Sequence, residues 1–213
     1  MTFLRCIPCL MALLWAAGGP VFGQDTLSGE ALVQALRRGG YNIYFRHAAT
    51  DWSQQDQVAA AGDWTSCDSR RMRQLSAEGW ETARQIGAAI RRLGIPIGQV
   101  LSSEYCRAWE TATAMGLGPA EKTRAVMNMR AASFVGGPEA VKKRARRAIG
   151  TPPPEGANTV FVAHGNLMRA VSGAYTGEAG AVVFAPQGGG QFTLVAQLTP
   201  DDWKALANRH AVR

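Results

Sequence analysis

The sequence predicts one α/β domain: a three-layer α/β/α arrangement with a largely parallel central sheet and a C-terminal β-hairpin. Three observations carry that prediction. Short apolar runs of strand length alternate along the chain with amphipathic helical stretches. Gly- and Pro-rich stops such as "GIPIG" and "GTPPPEG" separate them. At 213 residues the chain is long enough for one full core, and it shows neither an internal repeat nor a second domain.

The first residues stand apart from that domain. A basic start, Met1 to Arg5, leads into the apolar run "CIPCLMALLWAA" and then "GGPVFG", the layout of a secretory leader. The run falls short of the about 20 residues that span a bilayer. Cleavage after Gly23 is expected, giving a leader of 1–23 and a mature domain of 24–213 that begins at Gln24 and has no stable membrane insertion. A periplasmic or secreted location follows.

Four single strands are expected: Tyr41–Arg46, Gln99–Ser102, Arg124–Met127 and Thr159–Ala163. The closing hairpin pairs Ala181–Ala185 with Phe192–Gln197 around "PQGGG". Between the strands, Ser76 and Glu78 open a helix whose apolar face is Ala83, Ile86, Ile90 and Leu93. A second helix runs from Pro138 to Ile149. Its "KKRARR" segment, Lys142 to Arg147, is interleaved with Val141, Ala145, Ala148 and Ile149 and reads as a basic helix face. His210 reads as a solvated residue of a polar tail.

Charge and cysteines narrow the chemistry. The formal net charge of +7 favours anionic partners, yet no zinc-finger spacing or aromatic ladder points to nucleic acid. No HxH or HExxH spacing points to a metal, and no cofactor is expected. Of four cysteines, Cys6 and Cys9 leave with the leader. The remaining pair, Cys67 and Cys106, either closes a disulfide in an oxidising compartment or stands as two separate thiols.

Three strand ends carry unusual residues. The first delivers Arg46 and His47, with Thr50 after them. The second, "VLSSEYCRAWETA", delivers Arg107 at a helix start with Thr111 one turn on. The third, "TVFVAHGNLMRA", stops at His164 and passes through Gly165 and Asn166 into a helix. In open α/β sheets, ligands sit at the carboxyl ends of strands. Two arginines and two imidazoles converging there repel one another unless an anion binds between them, and a phosphoryl group matches guanidinium forks and helix N-terminal amides.

Strand–"RHAAT", then "SSEYCRAWETA", then strand–"HGN" resembles the histidine phosphatase superfamily, with its phosphoglycerate-mutase-like fold, and most of all its exported bacterial phosphatases. The resemblance implies that His47 is a nucleophile that takes the phosphoryl group, that Arg46 and Arg107 hold its oxygens, and that His164 completes the pocket. Thr50 and Asn166 are candidate further contacts. The expected substrate is a small-molecule or envelope phosphomonoester and the expected product inorganic phosphate.

The chain departs from the family pattern at the leaving-group acid. Met129 stands where mutase-like relatives place a glutamate, and Gly165 where the acid-phosphatase branch has an aspartate. Asp51 and Glu178 are the candidate proton donors, with Asp68 and Glu110 behind them. The alternatives to a phosphatase are a phosphate- or polyanion-binding module of the same fold, a phosphomutase and, more remotely, a metallohydrolase. The segment Trp52 to Arg71 is expected to wall the site, with Trp52 and Trp64 either stacking on a ligand or buried.

Overall fold

The computed structural model describes residues 26–211; the expected leader, 1–23, and the mature start at Gln24 lie outside the described residues. Six strands form one sheet: β1 (Asn42–Arg46), β2 (Ile97–Ser103), β3 (Ala120–Thr123), β4 (Asn158–Ala163), β5 (Ala181–Gly188) and β6 (Gln191–Leu198). Six helices accompany them: α1 (Gly29–Arg38), α2 (Ala77–Arg92), α3 (Cys106–Met115), α4 (Pro138–Ile149), α5 (Gly165–Ser172) and α6 (Pro200–His210). The sheet order is β3-β2-β4-β1-β5-β6. The β3–β2, β2–β4 and β4–β1 pairings are parallel, and β5 and β6 add an antiparallel edge.

Every residue of β4 is buried, so both faces of the sheet centre are covered. The cover comes from two helix groups: α2 packs on α3 and α6, and α6 on α1, while α4 packs on α5. Helix α2 starts where the sequence marks it, with the Ser76 side chain accepting a bond from the Gly79 amide. Helix α4 buries Val141, Ala145 and Ile149 and exposes Lys143, Arg146 and Arg147, while Arg144 is half-buried and donates to the Val135 carbonyl.

Two expectations are corrected. The third strand is Ala120–Thr123, and the apolar stretch expected as Arg124–Met127 is instead a 3-10 turn, Arg124–Val126, running into Met127. The real strand is an edge strand with exposed Glu121 and Lys122, so it lacks an apolar signal, whereas Val126 and Met127 are buried without pairing. The C-terminal segment is also no polar tail. Thr199 and Asp202 form a capping box that opens α6, and α6 buries Trp203 completely. His210 ends that helix, and its carbonyl accepts a 2.5 Å bond from Arg37 of α1.

Helix α2 also meets its neighbours at two glycines. A Cβ at Gly79 would lie 2.1 Å from the carbonyl oxygen of Ala49, just after β1, and one at Gly87 would lie 1.8 Å from that of Met115 at the end of α3. Both obstacles are backbone, so the helix can approach only where no side chain stands. Alanine at Gly87 would gain about 1 kcal/mol of helix propensity, but overpacking against a fixed carbonyl costs about 3 kcal/mol. Gly87→Ala is therefore expected to destabilise the protein by about 2 kcal/mol in urea unfolding; equal or higher stability would refute this packing account.

Candidate active site

The parallel pairing of β1 with β4 sets Arg46 opposite Ala163, so the next residues, His47 and His164, emerge side by side. Their ring centroids are 5.7 Å apart. The backbone around them is pinned by neighbours. The His47 amide donates to the Ala163 carbonyl (2.9 Å). The Tyr44 hydroxyl accepts from the His164 amide (3.1 Å) and donates to the His164 carbonyl (3.0 Å). Thr111 of α3 accepts from the Ala48 amide (3.1 Å), giving that singled-out threonine a positioning role. Arg107, in the first turn of α3, is brought to the same sheet end by β2. Arg46, His47, Arg107 and His164 thus line one cleft of about 300 Å³.

Both imidazoles are held neutral. His47 has its pKa pushed well below the ordinary 6.5, first by burial, then by Arg107, with Arg46 and Arg73 adding to it against a hydrogen bond to the Ala48 carbonyl. His164 is lowered in the same sense by burial, Arg107, His47, Arg46 and Arg73. The tautomer of His47 follows from its partner. Nδ1 lies 2.9 Å from the Ala48 carbonyl, which can only accept, so Nδ1 carries the proton and Nε2 keeps a free lone pair. His164 Nε2 lies 2.9 Å from the Ser103 hydroxyl; when that hydroxyl donates, Nδ1 presents an N–H.

Arg46 and Arg107 each have their own carboxylate. The Arg46 Nη2 lies 3.5 Å from Glu178, and its Nη1 donates to the Tyr175 hydroxyl at 3.0 Å and the Thr176 carbonyl at 3.3 Å. Arg107, 2% exposed, donates from both terminal nitrogens to Asp56 at 2.9 Å each. Even so, donors are left over. Arg107 Nε, Arg73 Nε and His164 Nδ1 are buried with no partner among the described residues. A buried donor without an acceptor costs about 1–3 kcal/mol, and an oxyanion in the cleft would supply acceptors.

The other sequence candidates are placed as follows. Asn166 lines the cleft and donates to the Asn128 side chain at 2.7 Å. Thr50 is buried, does not line the cleft, and donates to Glu178 at 3.2 Å. Asp51 turns to the Ser53 amide (2.9 Å), the Ser53 hydroxyl (2.7 Å) and the Gln54 amide group (2.9 Å), and these bonds hold its carboxyl below the usual range. Asp68 pairs with Arg70. Glu110 sits beside the sulfurs of Cys67 and Cys106, with burial pushing its carboxyl up. Met129 opens a 3-10 stretch, Met129–Val135. No carboxylate lines the cleft among the described residues.

Cys67 and Cys106 are joined, with their Cα atoms 5.4 Å apart, so the Trp52–Arg71 segment is tied to the start of α3, one residue before Arg107. Together with Glu110 they are the one group among the described residues spaced to hold a metal, and sulfurs bonded to each other offer no thiolate. The two tryptophans of this segment divide their roles. Trp64 is fully buried, stacked on Tyr105 and donating to Glu104 at 2.9 Å. Trp52 is 65% exposed, lines the cleft and carries the Arg73 guanidinium 3.8 Å over its ring.

Sequence reasoning missed Asp56, Arg73, Ser103, Asn128, Arg130, Arg169 and Tyr175. Ser103 had a signal, as the last residue of a strand that points at the site. The others come from loops or the far side of a helix, where spacing carries no information about direction.

The fold and the strand ends can be set beside known proteins. Residues 43–137 match the histidine phosphatase superfamily (branch 1). That span holds Arg46, His47 and Arg107, and His164 lies beyond it. The fold is shared with solved phosphatases. The protein histidine phosphatase SixA, solved with tungstate, is 17% identical with a TM-score of 0.52, over 76% of this chain and 98% of its own. A mycobacterial glucosyl-3-phosphoglycerate phosphatase in complex with VO3 is 16% identical with a TM-score of 0.51, over 74% and 98%. A phosphoserine phosphatase from Entamoeba histolytica, in complex with phosphoserine, is 14% identical with a TM-score of 0.50, over 76% and 98%. No curated protein sequence matches the chain.

Burying two neutral histidines has a pH signature. Below the unfolded value of about 6.5, the unfolded chain takes up protons at both histidines that the folded chain refuses, so stability must fall as pH drops until the lowered folded values are reached. The limiting slope is about 1.4 kcal/mol per pH unit for each histidine. Urea unfolding between about pH 6 and pH 5 should show this loss, and His47→Gln should remove about half of it. A pH-independent stability over that range would contradict the neutral-imidazole assignment.

Proposed function

We propose that this protein is an exported phosphatase that hydrolyses phosphomonoesters through a phosphohistidine on His47. The observation that carries the reading is the neutral His47, its Nδ1–H committed to the Ala48 carbonyl and its Nε2 lone pair free, among unpartnered donors of Arg107, Arg73 and His164. SixA with tungstate and the mycobacterial phosphatase with VO3 support it, since both oxyanions stand in for phosphate.

In this mechanism the phosphoryl oxygens sit on Arg46, Arg107 and the His164 N–H, with Asn166 at the rim. His47 Nε2 attacks phosphorus in line, the ester P–O bond breaks, and the leaving oxygen takes a proton from solvent water to depart as the alcohol. Water then attacks the phosphohistidine, the P–N bond breaks, and inorganic phosphate leaves while His47 returns to its starting tautomer. Guanidiniums held in place by Asp56 and Glu178 stabilise the charge without reorganising. The phosphate site would need no metal, since arginines fill the electrostatic role.

The proton for the leaving group is the weakest element of the site. Glu178 reaches the cleft only through Arg46 and Thr50, and Asp51 faces its own loop. Substrates with good leaving groups are therefore favoured. Substrates of the cell envelope fit the apolar leader and the Cys67–Cys106 bond, which belongs to an oxidising compartment.

Aryl phosphate hydrolysis by the mature protein in the presence of chelator tests the reading. His47→Ala is expected to lower kcat by roughly four orders of magnitude, and acid quench of the wild type should trap an acid-labile phosphoryl group. Phosphate binding with no turnover and no trapped phosphoryl group would favour the binding module. Glu178→Gln separates the donor question: if Glu178 protonates the leaving group, alkyl phosphates lose far more than aryl phosphates, and equal losses assign it to holding Arg46.

A further inference from the structure

A single phosphate needs two guanidiniums and an imidazole N–H, and Arg46, Arg107 and His164 supply them. The cleft holds more positive charge than that. Arg73, Arg130 and Arg169 line the same volume, and none of the three pairs with a carboxylate among the described residues. Five arginines and no acidic residue thus face a space of about 300 Å³, at the small end of ligand pockets.

The surplus charges are organised. The Arg73 guanidinium lies 3.8 Å over the Trp52 ring, and its Nε is buried with no partner. Arg169 lies 4.5 Å over the Tyr175 ring, while the hydroxyl of that tyrosine accepts from Arg46. In the same lining, the Asn128 side chain accepts from both the Arg130 amide and Asn166, which fixes the base of Arg130 at the cleft. Like charges this close are costly: Arg73 has its own pKa lowered, first by burial and then by Arg107, with Arg130 adding to this against the opposing pull of Asp56 and Glu178. Solubility does not require crowding of this kind, since the basic face of α4 spreads its charges over open surface.

We infer that the cleft is built for a phosphomonoester carrying a second anionic group, phosphate or carboxylate, which Arg73, Arg130 and Arg169 hold while Arg46, Arg107 and His164 hold the scissile phosphate. This names the substrate class of the phosphatase proposed above and rests on that reading for the scissile group alone. Arg73 and Arg169 face the second anion from opposite aromatic supports, and Trp52 and Tyr175 flank the body of the substrate. A phosphate attached to an uncharged alcohol uses only half of the site.

Calorimetric titration of the mature protein with orthophosphate and with methylenebisphosphonate, a non-hydrolysable two-anion probe, measures the second site without turnover. The bisphosphonate is expected to bind on the order of 30-fold more tightly. In Arg130→Ala/Arg169→Ala that ratio should collapse to within about threefold of unity, and in Arg146→Ala, on the outer face of α4, it should persist. Equal affinities in the wild type, a ratio that survives the double substitution, or an equal loss in Arg146→Ala would each overturn the assignment; the last would mean bulk charge alone. The two proposals fail separately. A protein that hydrolyses aryl phosphates but binds both probes alike loses only the second anion site. One that never becomes phosphorylated yet keeps the ratio loses only the phosphatase reading. Failure to bind either probe sinks both.

Discussion

The parallel register of β1 on β4 is the constraint from which the site follows. Arg46 opposite Ala163 makes His47 and His164 the first residues beyond the sheet on adjacent strands. A slip of one residue would turn one imidazole into the opposite layer. The register is held from several sides. Tyr44 bonds both the amide and the carbonyl of His164 across the pair. At the other sheet end, Asn158 accepts from the Tyr41 amide and donates to the carbonyls of Leu36 and Pro96. A buried, fully bonded asparagine of this kind tolerates only one alignment of its strand.

With position settled, the remaining difficulty is electrostatic. Imidazoles and guanidiniums crowded in one cleft either lose protons or gain counter-ions. The histidines take the first course and stay neutral. The two arginines nearest them take the second, each with a carboxylate that lies outside the cleft: Glu178 for Arg46 and Asp56 for Arg107. Placing the counter-ions behind the guanidiniums keeps the donors oriented and leaves the cleft free of negative charge. The Cys67–Cys106 bond serves the same end, since it anchors the segment that supplies Asp56 to the residue next to Arg107.

Where local pattern and tertiary role coincide, the sequence was legible. Apolar runs ending in Arg46-His47 and His164 are both the most buried strands and the ones that carry the chemistry, and Pro138 and Gly150 bound α4 in sequence as in structure. Legibility failed at β3, whose exposed edge has no apolar signature, and at α1 and α6. The apolar face of α6 is spread over Trp203, Leu206 and Ala207 in a stretch that reads as polar. In the site, residues at strand ends were readable and their supports were not. Asp56 lies in a loop with no periodicity, and only the folded path brings it to Arg107, 51 residues away. Arg73, Arg130 and Arg169 are ordinary surface arginines in sequence and become notable only together.

The sheet order also fixes when the protein can become a protein. Strand β1 is made early, yet its two neighbours are residues 158–163 on one side and 181–188 on the other. Until more than a hundred further residues exist, β1 has neither of its sheet neighbours, and the histidines have no shared edge to stand on. Long-range closure of this sort is slow. The centre of the sheet therefore closes only late in synthesis, after the last of its strands has been made.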